Sequence, residues 1–142
     1  MMPPTPPVVQ LWKDTYNKLN FQSLHLLGEL YAEKVVFEDP MHHVEGIAAL
    51  EKYFAGMYEN VESCRFEWVA EVIGDGEAMV TWVMVLRHKK FRAGESVRVP
   101  GSSHIRYTDK VTYHRDYFDV GALIYERVPV LGGIVRWIKG RL

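Results

Sequence analysis

The feature that most constrains this chain is a change of hydrophobic period near its middle. Up to Val61 apolar side chains recur three and four residues apart, and from Cys64 onward they alternate. Val8, Leu11, Trp12, Tyr16 and Leu19 share one face of a first helix. Ser23 is placed to cap a second, whose inner face is Leu26, Leu27, Leu30 and Tyr31. After the short β-branched run "VVFEDP", a third helix starts near Ile47. It carries Leu50, Tyr53, Phe54, Met57, Tyr58 and Val61 at helical spacing. Then "CRFEWVAEVI" sets Cys64, Phe66, Trp68, Ala70 and Val72 against Arg65, Glu67 and Glu71, which is a half-buried strand. "GDG" at 74–76 and "TDK" at 108–110 mark hairpins, and "FRAGES" is a loop. "EAMVTWVMVLRH" is apolar on both faces, as suits a strand with helices behind it and a cavity in front. "VRVPGSSHIRY" and "KVTYHRDYFDV" complete the strands. Three helices followed by mostly antiparallel strands predict an α+β fold, with a curved sheet wrapped around the helices.

With 142 residues the chain is one domain with room for a core. Its 17 Lys+Arg and 18 Asp+Glu give a formal charge of −1, which argues against nucleic acid as a partner because that favours a basic face. The single Cys64 excludes an intrachain disulfide and any Cys-rich metal site. "MMPPTPPVVQ" lacks the basic stretch and apolar core of a signal peptide, and no apolar run approaches the roughly 18 residues of a membrane span. A cytoplasmic location is expected. Residues 1–7 read as a loose proline-rich lead-in, 8–128 as the α+β domain and 129–142 as a basic tail. In the tail Arg136, Lys139 and Arg141 accompany an apolar side of Ile134, Trp137, Ile138 and Leu142. Such a helix packs on its own domain or across a dimer, the reading we favour, or rests weakly on an anionic membrane surface.

Chemistry concentrates in two places. In "FEDPMHH", Pro40 keeps Asp39 extended. Asp39 is then either an Asx turn or a base aimed into a pocket, where an apolar setting would suit it to proton transfer. On the last strand alternation puts Thr112, His114, Asp116 and Phe118 on one face, and Val111, Tyr113, Arg115 and Tyr117 on the other. The pattern alone does not say which face is inward. Tyr16 is a core residue or a ligand contact, and Trp82, Met84, Ile105 and Phe118 are core or cavity lining. His42 and His43 are neighbours that point apart with no third ligand in useful spacing, so no metal site is expected. His104 should face away from Ser103 and read as structural.

Through "LYAEKVVFEDP", "VEGIAALEKYF" and "YHRDYFD", residues 8–119 resemble the nuclear transport factor 2-like superfamily, and within it the SnoaL-like proteins. The resemblance implies a cone-shaped, cystatin-like α+β fold with an apolar cavity, one that hosts catalysts, binders and scaffolds alike. In related ketosteroid isomerases the base lies in "EDP", which Asp39 matches, and a helical tyrosine matches Tyr16. Ser103 stands where they place an acidic hydrogen-bond donor. In limonene epoxide hydrolases the last strand reads "WRDYFD"; Asp116 matches the catalytic aspartate and His114 replaces the tryptophan. Trp82 and Met84 stand where those enzymes place their partner Arg and Asp. The resemblance therefore implies that the His114–Asp116 face lines the cavity and that the chain forms a homodimer. It further implies cofactor-free acid/base chemistry through Asp39 or Asp116, with His114 tuning and Tyr16 and Ser103 stabilising charge on oxygen. Trp82, Met84, Ser103, Ile105 and Phe118 would hold an apolar small molecule. Two other readings stay open: a module that binds without turnover, and a scaffold for a protein or membrane.

Overall fold

The computed structural model describes residues 4–90 and 95–121. The basic tail at 129–142 and the tip of the "FRAGES" loop lie outside them. Helix α1 (Pro7–Tyr16) opens with proline at its first position, where the missing N–H costs nothing. Its inner face is centred on Val9, Trp12 and Tyr16, whereas Leu11, expected inward, is 44% exposed. Thr5 donates to Glu71 at 2.7 Å, and Lys13 forms an ion pair with the same carboxylate.

Helix α2 (Leu26–Leu30) is a single short turn, and Ser23 does not cap it. The Ser23 hydroxyl instead accepts from the Asn20 N–H at 2.8 Å and closes the preceding turn. Tyr31, expected on this helix, begins strand β1 (Tyr31–Glu38). Strand β2 (His43–Glu45) folds back on β1. Gly46, at φ +88°, then turns the chain into α3 (Ile47–Tyr58), a conformation that favours glycine. Leu50, Phe54 and Tyr58 of α3 are buried, but Val61 is already in β3 (Val61–Gly74).

Strands β4 (Glu77–His88), β5 (Val97–Tyr107) and β6 (Val111–Phe118) complete a six-stranded sheet in the order β2-β1-β6-β5-β4-β3. Every pairing is antiparallel except β1 with β6. That parallel pair sets Phe37 beside His114. Alternation fails at two places in β3, between Val61 and Ser63 and again after Trp68. Trp68 pairs with Trp82, but Ala70 pairs with Thr81, so Val69 is an extra residue and the strand's faces exchange. Val72, expected inward, is 72% exposed, while Glu71 turns toward α1 and meets Lys13. A further irregularity between Arg106 and Tyr107 leaves Thr112 exposed, unlike the rest of its predicted face.

The inner face of the sheet packs on α1 through aromatic contacts, with Trp12 centred 5.2 Å from Trp68 and 5.6 Å from His114. Val72, Met79 and Tyr117 leave the outer face partly apolar. This is the helix and curved-sheet arrangement of the nuclear transport factor 2-like cone. Among the described residues no helix is long and apolar enough to cross a membrane.

Lys13 and Thr5 hold the Glu71 carboxyl below its ordinary value of 4.5. A depressed acid contributes stability above its unfolded value and loses it as pH falls through the folded one. Wild type should therefore exceed Glu71→Gln by about 1 kcal/mol or less near neutrality, with the gap closing on acidification below about pH 4.5. Urea unfolding of both proteins across that range checks it.

Candidate active site

Between α1, α3 and the inner sheet face lies an apolar cavity of about 240 Å³. One wall is Phe54, Met57 and Tyr58 of α3; another is Trp82, Met84 and Leu86 of β4. Phe37 and Phe118 approach from the β1 and β6 side. Asp39 and Asp116 both open into it. A wider, shallower depression of about 640 Å³, between β2 and α3, is lined by His42, His43 and Lys52 and holds neither aspartate. The narrower cavity with both carboxylates is therefore the candidate site.

Asp116 sits at the end of two hydrogen-bonded arms. Ser103, its partner across the β5–β6 ladder, donates to Oδ1 at 2.5 Å, and Trp82 Nε1 donates to the Ser103 oxygen at 2.9 Å. His114 Nε2 lies 2.6 Å from the same Oδ1. A carboxylate only accepts, so Nε2 carries the proton. On the far side of the ring, Trp12 Nε1 points at Nδ1 from 3.4 Å and the Tyr31 hydroxyl lies 2.6 Å from it. An indole N–H can only donate, so Nδ1 is the acceptor of this imidazole. Tyr31 donates to it, and the Tyr16 hydroxyl, 2.6 Å from that of Tyr31, donates in turn. Burial, with Tyr31 next, holds the Tyr16 phenol well above its ordinary value. Burial likewise raises Tyr31, so both stay protonated donors. Both arms thus run toward one oxygen of Asp116. Its Oδ2 makes no hydrogen bond among the described residues.

The arm through Trp82 depends on Gly101. The Trp82 ring lies across Gly101, where a Cβ would meet ring atom Cη2 at 2.5 Å and the Tyr117 carbonyl at 2.8 Å.

Asp39 is both a turn residue and a cavity residue. Its Oδ1 accepts the backbone N–H groups of Met41 and His42, each at 2.8 Å, which is an Asx turn. The Tyr53 hydroxyl donates to Oδ2 in a short contact. Burial and then Asp39 itself raise the Tyr53 phenol far above its usual range, so it too remains a donor. His42 Nδ1 lies 3.2 Å from Asp39, while His43 bridges Glu38 and Glu45. Among the described residues no group of three His, Cys, Asp or Glu is placed to hold a metal ion.

The expected residues divide. Tyr16, Asp39, Trp82, Met84, Asp116 and Phe118 line the cavity. His114, Ser103 and Ile105 do not, being buried behind it. The Ser103 hydroxyl is committed to Asp116 and is a positioning group rather than a donor to a ligand. His114 also acts only through Asp116, and Ile105 packs beside His114 in the core. His104 faces outward to Glu77, as alternation implied. Cys64 is in the cavity wall, but burial pushes its thiol up to about 12, which removes it as a nucleophile near neutrality. Three polar contributors were hidden in the sequence: Trp12, Tyr31 and Tyr53 all sit at apolar-periodic positions, and nothing local distinguishes their polar tips.

Residues 12–114 match the SnoaL-like domain, and the chain belongs to that family. Among solved structures it is similar to a protein of ketosteroid isomerase-like fold from Catenulispora acidiphila, in complex with trimethylamine. The identity is 17% and the TM-score 0.76, over 89% of this chain and 96% of that one. It is similar to a candidate SnoaL-like polyketide cyclase from Jannaschia sp., with 15% identity, TM-score 0.71 and coverage of 85% and 94%. It is also similar to an LEH-like epoxide hydrolase of M. tuberculosis, with 13% identity, TM-score 0.65 and 80% of each chain covered. At these identities the likeness is one of fold. No curated protein matches the sequence.

Two substitutions test the site's construction. Gly101→Ala should displace the Trp82 ring and destabilise the protein by about 1–3 kcal/mol through overpacking, measured by urea unfolding. Tyr31→Phe should remove the short donor to Nδ1 and leave only the longer Trp12 contact, at about 0.5–1.5 kcal/mol. Nitrogen NMR of His114 should show the Nε2–H tautomer in wild type and a shifted Nδ1 signal in Tyr31→Phe.

Proposed function

We propose that the cavity binds one small, largely apolar molecule and that Asp116, with Asp39 as second carboxylate, moves a proton on it without a cofactor. The observation that carries this is the asymmetry of Asp116, a residue of the cavity wall: Oδ1 is anchored by Ser103 and His114, while Oδ2 makes no bond of its own among the described residues. A carboxylate held on one side and open on the other has the geometry of a general base. Asp39, with both oxygens already accepting, is the less available of the two. The volume, about 240 Å³, lies below the roughly 300–1,000 Å³ typical of drug-sized ligands, which supports a ligand of one or two rings at most. The family includes candidate cyclases, and solved proteins of this fold include an epoxide hydrolase, so cyclisation, isomerisation or ring opening are the reaction types to screen.

A second reading, ligand binding without turnover, is favoured by one specific observation. The Ser103 and Tyr16 hydroxyls that would stabilise an oxyanion are both spent inside the protein.

Turnover of small enones, ketones and epoxides by wild type, Asp116→Asn and Asp39→Asn separates the two. We expect Asp116→Asn to lower kcat by at least about 100-fold, within the usual worth of acid/base catalysis, and Asp39→Asn to lower it less. Ligand binding that survives in both variants, with no turnover in wild type, would establish the carrier instead.

A further inference from the structure

The two carboxylates of the cavity have a charge problem that the chain does not solve. Asp39 is 8% exposed and Asp116 18%, and buried charges are normally paired. Among the described residues no Lys or Arg forms an ion pair with either, and none lines the cavity. His114 touches Asp116, but its Nδ1 is an acceptor, so the ring brings a hydrogen bond and no neutralising charge. His88 also lines the cavity, and burial, followed by Lys90, holds its imidazole below its ordinary value and hence uncharged near neutrality. Much of the remaining wall is aromatic, Tyr16, Phe37, Phe54, Phe66, Trp82 and Phe118 among it, with Met57, Met84 and Leu86 beside them. Aromatic faces are the negative ends of ring quadrupoles and attract cations whose surface is otherwise apolar. A neutral hydrocarbon would satisfy the rings and bring no counter-charge to Asp116, whereas Asp39 already has the His42 ring 3.2 Å away. A hydrated inorganic cation would satisfy the carboxylates and waste the rings.

We propose that the ligand of this cavity carries a positive charge inside an apolar skin, as a small alkylammonium does, with Asp116 as its counter-charge and the aromatic wall around its methyl groups. This rests on the cavity being the ligand site, as proposed above, and it names the substrate class of that site.

Two probes of the same shape isolate the charge: choline, and 3,3-dimethylbutan-1-ol, in which a carbon replaces the nitrogen. Binding is read from the methyl resonance of Met84, which lies in the cavity wall, in protein labelled at its methionine methyls. Choline should bind about tenfold or more tightly than the alcohol, the scale of a desolvated cation–π contact with one counter-charge. Asp116→Asn should reduce that ratio severalfold while leaving the alcohol's Kd in place. If the alcohol binds as well as choline in wild type, the inference is overturned and the apolar-ligand reading stands. If neither probe moves Met84 up to the alcohol's solubility limit, both fall. If the ratio is tenfold but unchanged in a folded Asp116→Asn protein, the counter-charge is not Asp116 and the assignment is overturned. Should Asp116→Asn fail to fold, the wild-type ratio alone decides between a charged and a neutral ligand.

Discussion

The parallel pairing of β1 with β6 is the contact on which the rest of the site depends. The chain leaves α2 as a strand, runs along β6 and reaches Asp39 just after Glu38. Because Phe37 pairs beside His114, the turn that follows β1 comes out near Asp116, which is two residues further along β6. Two carboxylates 77 positions apart in sequence therefore open into one cavity. The same pairing brings Tyr31, at the start of β1, within 2.6 Å of the His114 ring. A parallel pair cannot be made by a local turn, so this closure requires the whole intervening chain to be in place.

Polar groups inside this core are arranged so that donors outnumber choices. Tyr16, Tyr31 and His114 form one arm and Trp82 and Ser103 the other, and each group has its bond fixed by the next. Trp12 and Trp82 can only donate, which removes the ambiguity that hydroxyls and imidazoles otherwise carry. A buried network satisfied throughout holds its end group in one orientation. Here that end group is Asp116. Its position is set by residues that never touch the cavity, so the functional site is larger than its lining.

Asp39 shows a different way to hold a carboxylate. Its own turn supplies two backbone donors, and α3 supplies the Tyr53 hydroxyl. Asp39 of "EDP" therefore closes an Asx turn and lines the cavity at the same time.

Local pattern alone decided a good deal: the three helical segments, the run of four strands after α3, the hairpin at Gly74–Gly76, and the shared face of His114, Asp116 and Phe118, although β1 and β2 come before α3. These follow from periodicity and turn chemistry, which act over a few residues. The tertiary structure decided the rest. It made Tyr31 a strand residue, because β6 offers backbone partners that a helix ending in Leu30 does not. It placed a bulge at Val69 that turns Glu71 inward to Lys13 and Val72 outward, a register choice set by β4 rather than by β3 itself. It also set Ser103, expected to meet a ligand, behind Asp116 beside His114. Which oxygen a hydroxyl serves depends on what stands across the sheet from it, and that neighbour is chosen only when distant strands pair.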